Sequence, residues 1–274
     1  MRATITTNTG VEIHYKDMGS GRPIVFSHAW PLSSDEWDAQ ILFFLQHGYR
    51  VIVFDRRGHG RSSLTTDGHD MGHFAGDLAA LTKKLDLKDA VHVGHSMGGG
   101  EIVRYAARCG QGRVSKLVLI GSVTPGLVKS DANPTGMSRD VFDQFRARLA
   151  HSRARFFYEL AAGPYYGFNR EGTKCAPGMV ENWVRQGLSG GIKAQYDSVC
   201  AFSETDFRED LKAIDLPVLI LHGEDDQIVP VECSRLTANL LSSATLKVYP
   251  GLPHGMPATH PDEINADILA FIQS

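Results

Sequence analysis

The sequence predicts an α/β fold built on a mostly parallel central sheet with helices on both faces. Three observations carry that expectation. Six short runs rich in Val, Ile and Leu recur along the chain. Most are nearly continuous rather than alternating, the pattern of strands covered on both faces. Helix-patterned segments separate most of these runs, so strand and helix alternate and right-handed crossovers are expected. The length, 274 residues, suits one large domain or a core domain with an insertion.

The elements follow in order. Segments 3–6 and 11–15 alternate apolar and polar residues around Asn8-Thr9-Gly10, which reads as a hairpin. The apolar runs at 23–26, 50–55, 90–94, 116–121, 217–222 and 245–249 read as strands. Helical patterns fall at 35–47, 71–86, 98–109, 231–242 and 261–273. Between Ser122 and Lys212 the alternation stops. That stretch is helical and loop-like, rich in aromatics such as Phe142, Phe156, Phe157, Trp183 and Phe202, with no strand-like run. It is expected to form a helical cap, 122–211, inserted in a core made of 1–121 and 212–274. No repeat, low-complexity tract or Gly/Ser linker sets it apart, so it should pack on the core.

Composition excludes several classes. At 42% hydrophobic and 22% charged residues the chain is an ordinary globular protein. A net charge of −3 argues against nucleic acid as a partner. No run approaches the ~18 apolar residues of a membrane span. Residues 1–10 are polar and lack a secretory core. The four cysteines, Cys109, Cys175, Cys200 and Cys233, are far apart without metal-ligand spacing. They are expected to be reduced, mostly packed thiols of a cytoplasmic protein.

The chemistry concentrates in a few loops. Gly94-His95-Ser96-Met97-Gly98 follows a strand and opens a helix, the context that gives Gly-x-Ser-x-Gly its meaning. The turn should strain the Ser96 backbone, and the helix N-terminus beneath it favours developing negative charge. Serine needs a base. His254 is the candidate, in a loop after the last strand; His92 and His222 lie inside apolar strands and read as structural, and His95 is the elbow's variable position. The base needs an acid to fix its tautomer. Glu224, Asp225 and Asp226 stand directly after a strand, in the chain order Ser…Asp…His. The residues alone leave Asp225 and Asp226 open. An oxyanion hole needs two donors. One candidate is the Met97 backbone N–H; the other is that of Trp30, in Ser27-His-Ala-Trp-Pro31. Pro31 has no N–H and biases Trp30 towards extended backbone, which would fix the direction of the Trp30 carbonyl. The segment 55–62, Asp-Arg-Arg-Gly-His-Gly-Arg-Ser, reads as a tight turn in an ionic network around Asp55.

Together these motifs, with Ala201-Phe-Ser-Glu-Thr-Asp-Phe207 and Pro253-His-Gly-Met256, resemble the α/β-hydrolase esterases of the cofactor-free haloperoxidase group. The group includes bacterial aryl esterases, perhydrolases and some γ-lactamases, and the resemblance spans nearly the whole chain. It implies the α/β-hydrolase fold and a triad of Ser96, Asp226 and His254; the spacing Gly223-x-x-Asp226-x-x-Val-Pro230 selects Asp226. It implies Trp30 and Met97 as oxyanion donors, and Phe202, Ile228 and Val229 as pocket residues. Pro31 after the tryptophan is similar to members that are better perhydrolases, where the tryptophan carbonyl accepts a hydrogen bond from hydrogen peroxide. The implied substrates are small esters or acids, with peroxide as co-substrate, without metal or other cofactor; homo-oligomers are common in the group. One departure is Ala29 where the group usually has Gly, which would be strained if φ there is positive. The expected function is therefore a serine ester hydrolase with perhydrolase activity. Its rivals are a lactone or γ-lactam hydrolase with the same triad, and a ligand-sensing binding protein on the hydrolase fold. A dehalogenase is disfavoured, since that chemistry wants Asp where Ser96 stands.

Overall fold

The computed structural model describes residues 3–131, 133–134 and 136–274. Eight strands form one sheet: β1 (Thr4–Thr6), β2 (Glu12–Met18), β3 (Pro23–Ser27), β4 (Arg50–Phe54), β5 (Ala90–His95), β6 (Val114–Ile120), β7 (Val218–Gly223) and β8 (Ala244–Tyr249). Their spatial order is β1-β2-β4-β3-β5-β6-β7-β8. The hairpin β1–β2 is antiparallel and β2 joins β4 antiparallel, with Lys16 opposite Val53. All other pairs are parallel.

Burial explains the apolar runs. Strands β5 and β7 are buried along their whole length, as are β3 and β4 beyond their first residues. Helices α1 (Asp38–Gln46), α9 (Met256–Thr259) and α10 (Pro261–Gln273) cover one face. There Phe44, Ile264 and Ile268 pack on Ile24, Val53 and Val91. Helices α2 (Met71–Lys84), α3 (Met97–Arg108) and α8 (Val231–Leu240) cover the other, through residues such as Phe74, Leu78, Ile102 and Tyr105. Each such side chain, fully buried, contributes about 1.5–3 kcal/mol. Strand β8 differs: Thr245 and Lys247 are exposed, because no strand lies beyond it. Helix α2 starts where the Asp70 carboxylate accepts the Gly72 and His73 N–H groups at 2.8 and 3.0 Å.

Between β6 and β7 lie α4 (Arg139–Leu160, broken at Ser152), a π-helical turn at Ala161–Tyr165, α5 (Pro177–Ser189), α6 (Ile192–Glu204) and α7 (Arg208–Lys212). Helix α4 packs on α5 and α6, whereas α7 packs on α3 and α8. The aromatics of this stretch meet the core at Trp30, whose ring lies 5.9 Å from Phe157, edge-on, and 5.6 Å from Phe202. Among the described residues no helix is long and apolar enough to cross a membrane.

Two details correct or settle the sequence reading. All four cysteines are free, but Cys109 and Cys175 are exposed and only Cys233 is buried, so most of the thiols are not packed. Cys109 ends α3 and Cys175 sits in the loop before α5, both away from the apolar faces. The arginines of 55–62 are structural. Arg61 pairs with Asp55 at 2.8 Å, Arg57 with Asp77 at 2.5 Å and Arg56 with Glu101 at 2.6 Å.

Candidate active site

Ser96 stands between the last residue of β5 and the first of α3, with φ 55° and ψ −117°. A positive φ at a non-glycine residue costs on the order of 1–3 kcal/mol, so the surroundings must impose it. They do so from β6 and the segment after it. The Ser96 N–H donates to Ile120 O at 2.8 Å, and the Ser96 carbonyl accepts from Gly99 and Val123 at 3.0 and 3.3 Å. The flanking glycines are steric requirements. A Cβ on Gly94 would lie 2.4 Å from the Gly98 carbonyl, and one on Gly98 only 2.1 Å from the Ser27 carbonyl.

His254 lies in the loop between β8 and α9, and its Nδ1 is 2.6 Å from Asp226 Oδ2. A carboxylate only accepts, so Nδ1 carries the proton and Nε2 is left as a base. The other oxygen, Asp226 Oδ1, accepts the Ile228 and Val229 N–H groups at 2.8 Å each. His222 Nε2 adds a contact at 3.3 Å to Asp226 Oδ2, while its Nδ1 bonds Ser234 Oγ at 2.6 Å. Burial alone would raise the Asp226 pKa, but His254 and His222 together hold it well below the usual carboxylate range. Burial pushes His254 below its ordinary value, against the pull of Asp226 and with the help of His95 and His222. The His254 ring is therefore mainly neutral at pH 7. Asp225, by contrast, is half exposed and pairs with Arg170 at 2.9 Å. Ser96 and His254 line one cavity but share no hydrogen bond, as is common before substrate binds.

The oxyanion candidates stand beside the serine. Neither the Trp30 nor the Met97 backbone N–H has an acceptor among the described residues, so both are free to donate. The Trp30 indole N–H is occupied, donating to Gln195 O at 3.0 Å on α6. Ala29 is not strained: among the described residues, the non-glycine ones with positive φ are Asp86, Asp89 and Ser96. The cavity is lined by Phe202, Ile228 and Val229, with Trp30, Phe142 and Leu160. Pro31 is not on its wall. The loop turns at Ala29, whose carbonyl accepts the Leu32 N–H at 2.9 Å, and Pro31 packs instead towards Gly187 of α5.

Three residues that the sequence did not single out surround this site. His222, read as structural, touches the candidate acid. His95, read as a variable position, is fully buried between Glu36 and the His254 carbonyl. Glu36 lies in a 3₁₀ turn, Ser34–Trp37, and belongs to no motif. Its only signal was an acid shortly after the oxyanion loop, which a single sequence gives no reason to choose.

The sheet order, the strained serine between β5 and α3, and the acid and histidine on loops after β7 and β8 define a hydrolase-type α/β protein. The alpha/beta hydrolase fold model matches residues 22–261. The chain belongs to that family, in the group that holds non-heme haloperoxidases and esterase/perhydrolases. It is 56% identical to a non-heme chloroperoxidase of Streptomyces lividans over 99% of both chains. It is 54% identical to a bifunctional esterase/perhydrolase of Acinetobacter calcoaceticus, over 98% of this chain and 99% of the relative. The crystal structure of a bromoperoxidase from Bacillus anthracis is similar with a TM-score of 0.94, at 36% identity and full coverage of both chains.

Proposed function

We propose that the protein is a cytoplasmic serine carboxylic-ester hydrolase that also transfers acyl groups to hydrogen peroxide. One observation carries the reading: Ser96 and His254 open into the same apolar cavity, with Asp226 2.6 Å behind the histidine. The likeness to the esterase/perhydrolase and the non-heme chloroperoxidase supports it. Ser96 Oγ attacks the acyl carbonyl carbon while His254 Nε2 takes its proton. The oxyanion is held by the Trp30 and Met97 N–H groups. His254 returns the proton to the leaving alcohol, and Asp226 stabilises the imidazolium between the two steps. Water attacking the acyl-enzyme gives an acid; hydrogen peroxide gives a peracid. The peracid leaves and oxidises halide in solution to hypohalite, itself reduced to the carboxylic acid. Phe202, from a cap formed by 122–211, and Ile228 and Val229, from the core, favour small uncharged acyl groups.

The test is a pair of assays on one purified sample. One follows hydrolysis of p-nitrophenyl acetate. The other follows halogenation of monochlorodimedone with peroxide and halide, with and without acetate. Both activities should be present, halogenation should require acetate, and Ser96→Ala should abolish both while leaving the circular dichroism spectrum unchanged. Halogenation that survives Ser96→Ala or ignores acetate would overturn the shared acyl-enzyme.

A further inference from the structure

A buried acid–histidine pair ties together three segments that meet at Ser96. Glu36 Oε1 lies 2.5 Å from His95 Nδ1, and both side chains are almost wholly inaccessible, at 5% and 0%. Glu36 Oε2 accepts the Ala29 N–H at 2.7 Å. On the other side, His95 Nε2 lies 3.0 Å from the His254 carbonyl oxygen. Each end is one residue or less from a reacting group. Ala29 precedes Trp30, His95 precedes Ser96, and the carbonyl belongs to His254 itself.

The chemistry of the tie is fixed by its ends. The His254 carbonyl and the Ala29 N–H are backbone groups with one role each, so His95 Nε2 must donate and Glu36 Oε2 must accept. One proton is then shared between Nδ1 and Oε1, and both outer bonds persist whichever atom holds it. A short hydrogen bond between ionisable partners is stronger and more directional than a neutral one. The Tyr165 hydroxyl donates to Glu36 Oε1 at 3.4 Å, adding the π-helical turn Ala161–Tyr165 to the assembly. Neither Glu36 nor His95 lines the cavity that Ser96 and His254 share, and the triad does not use them.

We propose that Glu36 and His95 are positioning residues for acyl transfer: through them the oxyanion loop and the His254 loop are held at a fixed separation from Ser96. The proposal rests on the hydrolase reading above. A displacement of about 1 Å of a reacting group can cost on the order of 100-fold in rate, so such a tie acts on kcat rather than on substrate binding.

Steady-state hydrolysis of p-nitrophenyl acetate by the full chain tests it, with rates expressed per active serine counted by titration with an organophosphonate. Glu36→Ala and His95→Phe should each lower kcat on the order of ten- to a hundredfold, with KM changed by less than about threefold. Cutting one tie twice has no further effect, so the double variant should be no slower than the worse single variant. Glu36→Gln keeps the shape: its amide oxygen can accept from Ala29 and its amide N–H can donate to His95 Nδ1. It should recover kcat to within about threefold of wild type, and it keeps the test open if Glu36→Ala does not fold. Equal kcat per titrated serine in Glu36→Ala and wild type, or additive losses in the double variant, would overturn the tie. A wild-type protein that neither titrates nor turns over ester overturns the hydrolase reading itself, which is a different result from variant-specific silence.

Discussion

At the residue scale, the acid is the point where geometry adds most to the sequence. Asp225 and Asp226 are neighbours of the same chemistry, and no local rule separates them. The fold does: Asp226 is turned inward to His254, and Asp225 outward to Arg170. Asp226→Asn should keep the fold but reverse the hydrogen bond, favouring the wrong His254 tautomer. The expected loss in kcat for p-nitrophenyl acetate is on the order of 10³–10⁴-fold. Asp225→Asn should leave kcat unchanged in the same assay, and a comparable loss there would exchange the two assignments. The His254 pKa, lowered mainly by burial, sets the pH dependence. The base works when neutral, so kcat/KM should fall as pH drops, with a midpoint below the ordinary value of 6.5. Ser96 and His254 were legible because each sits in a local pattern of strand, turn and helix. Glu36 and His95 were not, since their bond joins residues 59 positions apart, Glu36 belongs to no motif, and His95 fills a position that the elbow motif leaves open.

At the element scale, the alternation of apolar runs with helical patterns placed the six strands from β3 to β8, because burial on both faces leaves a compositional mark, and a hairpin pattern placed β1 and β2. The two exceptions have physical causes. Strand β8 is half exposed since it closes the sheet, and α7, although within the stretch read as cap, packs on α3 and α8 of the core. The break of α4 at Ser152 left no signal of the usual kind, since no proline or glycine stands there. The loop after β4 is joined to α3 by a buried ion pair. Arg56 donates through Nε and Nη2 to Glu101 Oε2 at 3.2 and 2.6 Å, and through Nη2 to His28 O at 2.9 Å. Removing one partner leaves the other charge buried. Glu101→Ala should therefore destabilise by about 3–5 kcal/mol, read as a shift in the urea midpoint. Arg155→Ala, which breaks the exposed pair with Glu159 on α4, should not move the midpoint measurably. Equal midpoints for the two variants would show that the buried pair is not held as an ion pair.

At the scale of the whole molecule, the buried histidines couple folding to pH. His28, His59 and His92 are all fully buried, and burial pushes each below its ordinary value, for His59 and His92 to about 3. For His28 and His59 the nearby Arg56 charge acts in the same direction. These rings stay neutral in the fold, while the unfolded chain protonates them near pH 6.5. Below that pH the unfolded state binds more protons, so stability falls as pH falls. The contribution is whole above about pH 6.5 and is lost as pH falls, for His59 and His92 progressively towards pH 3, at up to about 1.4 kcal/mol per pH unit for each of these two rings. His92 isolates one such term. Its two nitrogens have no partner among the described residues, and its ring lies 5.0 Å from Tyr105. His92→Leu removes a proton-binding group without removing a hydrogen bond. Urea midpoints measured from pH 7 to 4.5 should decline less steeply in this variant than in wild type, by close to one proton's worth of slope at the acid end. Parallel declines would mean that His92 takes up its proton as readily in the fold as in the unfolded chain, which its strand, enclosed between two layers of helices, gives no means to stabilise.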